Sequence, residues 1–305
     1  MSKPITLQIR PRGKPIKSLP EAVSVPADAT AADLYGLLST KSRYSVHQLR
    51  VTKGSDGSHI PNGTSTVHST GLRNDSTIYV KDLGPQIAWR TVFVIEYLAP
   101  IFIHPLFYAL AAHIYGGTGA QSQMQKTALV AIVAHFVKRE FETLFIHRFS
   151  AATMPIRNIF KNSAHYWLLS GVNMAYWIYS PTSSSAKDPP NQALLFAGIA
   201  LYAFGELGNL STHLTLRNLR SQGGNERGIP QGALFNLVTC PNYFTEVLSW
   251  VGVWLISGLN WSVVVFLVAS GAQMASWASK KERRYRKEFG DKYKRKRFVM
   301  LPGIW

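Results

Sequence analysis

Six long apolar segments follow one another after residue 86 of this 305-residue chain, and they constrain its fold more than any other feature. A helix needs about 20 mostly apolar residues to cross a bilayer. Within hydrocarbon, every backbone polar group must be satisfied internally, so we expect an all-α membrane domain of about six transmembrane helices. A soluble helical protein is the alternative for any one segment, but six at this spacing disfavour it. The candidate spans are residues 87–115, 125–147, 163–180, 193–216, 233–257 and 262–279.

The first 82 residues differ in composition from the apolar segments that follow. All eight Trp and all fifteen Phe lie after Lys81. Before that point, short stretches that alternate or cluster β-branched residues predict four strands. A helix between the second and third strands is predicted to begin at a cap formed by Asp28 or Thr30 and to continue through Leu38. Its apolar face would carry Ala31, Leu34, Tyr35 and Leu38.

The order strand, strand, helix, strand, strand resembles the β-grasp of ubiquitin-like domains. We therefore expect an α+β ubiquitin-like domain over residues 1–82 and a transmembrane domain over residues 83–305. The chain continues through DLGPQ (82–86) without a terminal Gly-Gly, so the conjugation chemistry of ubiquitin is not implied. A small folded cap without a signalling role is the alternative.

The charge of the chain is concentrated near its end. Residues 280–297 hold eleven Lys or Arg and three carboxylates, which gives +8 of the total of +17. A basic segment beside an apolar span usually faces the cytosol and its anionic lipid. Six spans then place both termini in the cytosol. Nucleic acid is not expected as a partner, because the basic run directly follows the membrane segments.

Ionisable residues interrupt the apolar segments. Glu96 lies within VFVIEYLAP, and Lys138, Arg139 and Glu142 lie within KREFE. Such residues are costly in hydrocarbon, so they indicate a functional site. The alternatives are a buried Glu96 that bonds to a neighbouring helix, and an ordinary ion pair between Lys138 and Glu142, which share a helix face.

A polar stripe is predicted near the end of the fourth segment. Asn209, His213, Arg217 and Arg220 are spaced i, i+4, i+8 and i+11, which places them along one helix face. Arginine binds phosphate well because its planar fork makes bidentate bonds. A solvated helix end with ordinary cytosolic arginines is the alternative. The sequence has no dinucleotide-binding G-x-G-x-x-G after a strand, no P-loop, and no clustered Cys/His set, so a metal site is not expected.

Several longer motifs resemble one enzyme family, the steroid 5α-reductases. They are LRNLR (216–220), GIPQGALF (228–235), CPNYFTEVLSW (240–250) and the closing segment 280–305. VKREFETLFIHRFS (137–150) followed by TMPIRNIFKNS (153–163) is similar to the branch that reduces trans-2-enoyl-CoA in very-long-chain fatty acid elongation. That branch also carries a ubiquitin-like N-terminal domain.

The resemblance implies an NADPH-dependent enzyme of the endoplasmic reticulum membrane. It would reduce the trans-2,3 double bond of long-chain enoyl-CoA, the last step of each elongation cycle, beside membrane lipid and other elongation enzymes. Phe136 stands where the steroid enzymes have a catalytic tyrosine, which makes Tyr243 the better proton donor. The implied catalytic residues are Tyr243, Glu96, Lys138, Arg139 and Glu142; the implied cofactor-binding residues are Asn209, His213, Arg217, Arg220, Asn242, Lys281 and Tyr285.

Three other functions are compatible with parts of the sequence. Reduction of a 3-oxo-4-ene steroid uses the same hydride chemistry. A membrane methyltransferase has similar spans and a basic C-terminal end. A non-catalytic membrane scaffold would recruit partners through the N-terminal domain, but it has no need to bury Glu96 and Lys138.

Overall fold

The structure, a computed structural model, describes residues 3–117, 121–149, 151–221, 228–293 and 298–305. Contacts divide the described chain into two compact units. The first contains the residues up to Trp89 together with Ala151–Asn158, and the second contains Arg90–Ser150 and Ile159–Trp305.

The first unit is a small sheet with one helix. The strand order is β2-β1-β5-β3-β4, with β1 parallel to β5 and the other pairs antiparallel. Alternation along β1 turns Leu7 and Ile9 into the core. The two-residue strand β4 was not predicted, because so short a segment carries no periodicity. The elements are β1 Pro4–Pro11, β2 Ala22–Pro26, α1 Ala31–Ser42, β3 Leu49–Lys53, β4 His59–Ile60 and β5 Ser76–Asp82.

Helix α1 begins at Thr30, one of the two predicted caps. The Thr30 hydroxyl accepts from the Asp33 amide at 3.1 Å, and the Asp33 carboxylate accepts from the Thr30 amide at 2.8 Å. This capping box satisfies two backbone donors at the helix start. Hydrogen bonds from Thr30 lower the pKa of Asp33. The predicted apolar face is buried, and the Tyr35 hydroxyl on that face donates to the Ile60 carbonyl at 2.8 Å.

A second, two-stranded sheet belongs to the same unit. Strand β6, Gln86–Ala88, pairs antiparallel with β7, Thr153–Pro155, so that Ile87 lies opposite Met154. This pairing joins segments that are far apart in sequence. Three-residue strands separated by an entire helical region give no local signal, which is why the sequence did not predict them.

The remaining described chain is mostly helical. Two π-helical segments interrupt the α-helices: Glu142–Ile146 continues α4, and Ala164–Asn173 joins α5 to α6. The helices are α2 Trp89–Ala109, α3 Ala111–Tyr115, α4 Gln123–Phe141, α5 Asn158–Ser163, α6 Met174–Ile178, α7 Gln192–Asn218, α8 Ala233–Leu237, α9 Pro241–Ile256 and α10 Trp261–Phe289.

Three helices of the described chain are long and apolar enough to cross a membrane, where the sequence analysis expected about six spans. They are Trp89–Ala109, Gln192–Asn218 and Trp261–Lys292. The fifth predicted span is divided because Pro241 starts a new helix, α9, of 16 residues. Helix α4 ends in charged residues, and the third predicted span lies in a helical run that changes type twice.

Glycines let α7 and α9 pack closely. A Cβ on Gly205 would lie 2.5 Å from the Ser249 amide nitrogen, and one on Gly252 would lie 2.5 Å from that of Tyr202. Larger residues at either position would force the helices apart. The close approach places the polar residues of α7 beside the first turns of α9.

The C-terminal segment holds the chain just before α9. The Thr239 amide donates to the Phe298 carbonyl at 3.2 Å, and the Cys240 amide donates to the Val299 carbonyl at 3.1 Å. The Thr239 hydroxyl also donates to Glu282 of α10. These bonds fix the first turn of α9, which carries Asn242 and Tyr243. Residues 294–297 of the predicted basic tail lie outside the described chain.

Candidate functional site

Six ionisable side chains meet among α4, α7 and α9. We call them the buried charge network: His135, Lys138, Arg139, Glu142, Glu206 and Glu246. None of the six side chains is more than 18% exposed. Buried charges are tolerated when each has a partner of opposite sign, and this network supplies such partners.

Glu142 is fully buried and contacts two cations of α4 and a histidine of α7. Its Oε2 lies 2.7 Å from Arg139 Nη1, and its Oε1 lies 3.6 Å from Lys138 Nζ and 3.1 Å from His213 Nδ1. The π-helical segment continues α4 without a break, so the local pairings expected for KREFE are present. The contact with His213 of α7 was not predicted.

Lys138 connects α4 to α7. Its Nζ donates to Glu206 Oε2 and to Asn209 Oδ1, each at 2.8 Å. Asn209 Nδ2 in turn donates to the Asn242 carbonyl at 2.9 Å and to Glu246 Oε2 at 3.2 Å. Protein groups therefore bind both ends of the Asn209 side chain. These contacts fit a residue that links α4, α7 and α9 better than one that binds the cofactor directly.

Arg139 lies against aromatic residues on its other side. Its Nη2 donates to the Tyr97 hydroxyl at 2.9 Å, and its guanidinium carbon lies 5.0 Å from the Tyr97 ring centre. Phe136 is buried beside Tyr97, with ring centres 6.3 Å apart. Glu96 precedes Tyr97 on α2 and is 1% exposed, and its Oε2 has no hydrogen-bond partner among the described residues.

A cavity of about 440 Å³ opens beside this network. Its wall contains six cationic side chains, and none of its described lining residues is acidic. Tyr243 and Trp277 contribute aromatic surface, with ring centres 6.3 Å apart. The cavity is therefore suited to an anionic ligand with a planar ring system. The cationic residues are Arg148, Arg217, Arg220, Lys280, Lys281 and Arg284.

The structure brings most of the predicted cofactor residues to this cavity. His213, Arg217, Arg220, Lys281 and Tyr285 all line it, as does Tyr243 from the catalytic set. The other predicted residues do not line the wall: Glu96, Lys138, Arg139, Glu142, Asn209 and Asn242.

Arg220 does not continue the helical stripe as the sequence spacing predicted. Helix α7 ends at Asn218, so Arg220 lies beyond the helix, and its Nη1 donates to the Arg148 carbonyl at 2.5 Å. Arg148 Nη1 donates in return to the Arg217 carbonyl at 3.2 Å. These bonds hold together the last turn of α7, which carries Arg217, the turn that carries Arg220, and the neighbouring loop that carries Arg148.

Comparison with known proteins assigns this architecture to a family. The profile described as 3-oxo-5-alpha-steroid 4-dehydrogenase matches residues 152–305. The very-long-chain enoyl-CoA reductase of Dictyostelium discoideum is 42% identical over 289 residues, which cover 92% of this chain and 94% of that protein. The chain belongs to the enoyl-CoA reductase family.

Two further members of the enoyl-CoA reductase family extend the comparison. A Schizosaccharomyces pombe protein described as an enoyl reductase is 44% identical over 298 residues, covering 98% of this chain and 99% of that protein. The Caenorhabditis elegans protein named "Probable very-long-chain enoyl-CoA reductase art-1" is 42% identical over 240 residues, covering 75% and 76%. Membership in a reductase family implies a nicotinamide cofactor, and the apolar helices indicate a membrane protein.

Sequence reasoning missed part of this candidate site. His135 and Glu206 complete the network, together with Glu246 of the motif 240–250, to which no role was given, and His147 and Arg148 line the cavity. Glu206 did carry a signal, since it is a lone carboxylate within the apolar stretch YAFGELGNL. His135 carried a weaker one, because a buried histidine is often an ordinary core residue.

Three side chains of the kinds that bind metals lie close together at the edge of the network. Donor atoms of Glu142, His147 and His213 lie within 4.8 Å of one another. However, Lys138 and Arg139 already contact the Glu142 carboxylate and would repel a cation there. The cluster is therefore better suited to pairing charges within the protein than to holding a metal.

Proposed function

We propose that the chain uses NADPH to reduce the trans-2,3 double bond of long- and very-long-chain enoyl-CoA, the last step of the fatty acid elongation cycle. The observation that carries this proposal is the cationic cavity with Tyr243 in its wall, in a member of the enoyl-CoA reductase family. Both the cofactor and the substrate are polyanions with an adenine ring, which suits a cavity lined by cations and aromatic rings.

The residues present fit a nicotinamide dinucleotide. Arg217 and Arg220 would hold the adenosine end, including the 2′-phosphate that distinguishes NADPH from NADH. Lys281 and Tyr285 line the same cavity from α10. Asn242 does not line the cavity, but it precedes Tyr243 of the cavity wall, and its buried Oδ1 atom has no hydrogen-bond partner among the described residues. It is the acceptor we propose for the cofactor's carboxamide.

When bound, the reduced cofactor supplies a hydride for the β-carbon of the enoyl thioester. The chain must then do two things: stabilise negative charge on the thioester oxygen and deliver a proton to the α-carbon. Tyr243 would deliver the proton. The unpartnered Oε2 of buried Glu96 could carry a proton that hydrogen-bonds the thioester oxygen.

The contacts of Lys138 and Arg139 support a role in positioning helices. Lys138 contacts Glu206, Asn209 and Glu142, and Arg139 contacts Tyr97 and Glu142. Lys281 is one of the six cations that share the cavity wall with Tyr243. Lys138 would act by fixing α4 against α7, and Arg139 by fixing α4 against α2.

The cellular setting is part of the same proposal. The protein would lie in the endoplasmic reticulum membrane with about six spans, both termini in the cytosol, the acyl chain among the helices, and other elongation enzymes as partners. The strand order with parallel β1 and β5 at the centre supports a ubiquitin-like first unit. The basic residues after Lys280 would face anionic lipid and the CoA head group.

Replacing Tyr243 by Phe tests the role of its hydroxyl. We expect turnover of a long-chain enoyl-CoA to fall about 100-fold or more, the usual scale of general acid–base catalysis. NADPH binding should persist, because the ring remains in the cavity wall. Stopped-flow absorbance of the reduced nicotinamide would give turnover, and fluorescence titration would give binding. Turnover equal to that of the unmodified protein would eliminate the acid role.

Steroid reduction is the second candidate, since the matching family profile carries a steroid description. Both activities consume NADPH, so the substrate decides between them. Purified protein should oxidise NADPH with a long-chain trans-2-enoyl-CoA and leave it unchanged with a 3-oxo-4-ene steroid. The opposite pattern would reverse the assignment.

A further inference from the structure

His135 occupies an unusual position on α4. It is 2% exposed, and each of its ring nitrogens faces a carboxylate. Nδ1 lies 2.7 Å from Glu206 Oε1, and Nε2 lies 3.3 Å from Glu246 Oε1. Its ring packs against Phe136 and Trp250, with centres 5.1 and 4.8 Å away.

This geometry requires a proton on both ring nitrogens. A neutral imidazole has one N–H and one lone pair, so one nitrogen would direct its lone pair at a carboxylate oxygen. Such a contact is repulsive, and burial leaves little water to screen it. An imidazolium donates to both carboxylates.

The charge balance of the network leads to the same conclusion. With His135 charged, three cations face three carboxylates: His135, Lys138 and Arg139 against Glu142, Glu206 and Glu246. With His135 neutral, the network would carry a net charge of −1 in a buried setting, which is costly. The titratable groups that face the His135 ring are Glu206 of α7 and Glu246 of α9, and Lys138 lies one turn along α4.

The contacts of the two carboxylates show what the charge on His135 achieves. Glu206 uses its other oxygen to hold Lys138 at 2.8 Å, and Glu246 uses its other oxygen to accept from Asn209 at 3.2 Å. Asn209 also bonds the Asn242 carbonyl, in the residue just before Tyr243. His135 thus connects α4 through α7 and α9 to the proposed proton donor.

We propose that His135 is an imidazolium that acts as a positioning residue, holding Glu206 and Glu246 so that the first turn of α9 presents Tyr243 to the cavity. The charge on His135 follows from the contacts of the protein alone. Its effect on catalysis rests on the proposed reductase function.

Solid-state NMR of the full-length protein, with ¹⁵N-labelled histidine in lipid vesicles, tests the charge. We expect one histidine with both nitrogens protonated and unchanged from pH 6 to 7.5, while free imidazole side chains titrate at about 6.5. The signal should be absent from His135→Gln. A neutral tautomer for His135 anywhere in that range would overturn the proposal.

His104 provides a matched buried comparison. Its Nδ1 lies 2.8 Å from the Tyr179 hydroxyl and its Nε2 lies 2.7 Å from the Ser170 carbonyl, and no carboxylate of the described residues contacts either nitrogen. We expect His104 to be neutral across the same range, with its signals assigned by His104→Gln. An imidazolium at both positions would show that burial in this fold, and not the two carboxylates, sets the charge, and would overturn the argument.

Kinetics test the positioning role. We expect His135→Gln to lower kcat for enoyl-CoA about tenfold or more while KM for NADPH changes less than about threefold. The reason is that the variant leaves one net negative charge in the network beside α9, the helix that carries Tyr243. The double variant His135→Gln/Glu246→Gln restores neutrality and should recover most of that loss. A residue needed only for its shape predicts no recovery, and that outcome would refute positioning by charge. If the unmodified protein reduces no enoyl-CoA, the proposed function fails, whereas the NMR result still decides the charge on His135.

Discussion

The two units of the molecule bury very different side chains. In the first unit the core is apolar, and the only buried polar residues among those described are Ser42 and Thr52. In the second unit Glu96, His135 and Glu142 are among many buried polar groups. An apolar core stabilises a fold without further requirement, whereas buried charges are stable only in one arrangement of partners. The contrast indicates that the first unit is optimised for folding and the second for chemistry.

The largest difference between the units should appear when one carboxylate in each is neutralised. Glu142→Gln leaves Arg139 and Lys138 without a charged partner at that site, and removing one member of a buried pair costs about 3–5 kcal/mol. Glu21→Gln, on the surface of the first unit, should change stability by less than about 0.5 kcal/mol. Thermal unfolding in lipid nanodiscs, followed by reductase assays on the folded fraction, would compare the two.

Glu142→Gln should also abolish most activity, because the variant loosens the helices that position Tyr243. Equal stability and activity for the two variants would show that the buried charge network is not needed. Glu142→Asp keeps the charge but shortens the side chain, so partial activity is expected from it.

A core deletion in the first unit should have the next largest effect. Leu38 is fully buried on α1, and replacing a buried Leu by Ala usually costs about 2–5 kcal/mol. We expect Leu38→Ala to speed amide hydrogen exchange in β1 to β5 of the full-length protein, with exchange in α9 unchanged. Leu37→Ala, at a partly buried neighbouring position, is the control and should have a smaller effect. Faster exchange throughout the helices would mean that the units unfold together.

The same contrast explains what the sequence could predict. The cap, length and apolar face of α1 are local properties, as is the pairing of Lys138 with Glu142 one turn apart. Contacts such as His135 with Glu206 join residues 71 positions apart and depend on how α4 and α7 pack. The motifs around residues 209–220 and 240–250 did identify side chains that meet at one cavity, because each motif forms a continuous stretch of chain near it.

Predictions from local sequence spacing were wrong at two kinds of position. The spacing of Asn209, His213, Arg217 and Arg220 assumed one uninterrupted helix, but α7 ends at Asn218. The π-helical segments similarly cannot be inferred from apolar periodicity, since they change the number of residues per turn. Sequence patterns thus identified the charged residues of the site better than they predicted the directions in which those residues point.

The smallest expected effect concerns single cations in the two units. We propose that those in the cavity bind the cofactor, whereas those on the surface of the first unit do not. Arg220→Ala should raise the Kd for NADPH about tenfold or more, since a hydrogen bond to a charged group contributes about 1.5–3 kcal/mol. The variant also removes the bond to the Arg148 carbonyl, but that loss affects both cofactors equally. The decisive measurement is therefore the ratio of NADPH to NADH affinity, by calorimetry in nanodiscs. Arg50→Ala, on the exposed face of β3, should leave the ratio unchanged. If Arg220→Ala also leaves it unchanged, Arg220 does not bind the 2′-phosphate.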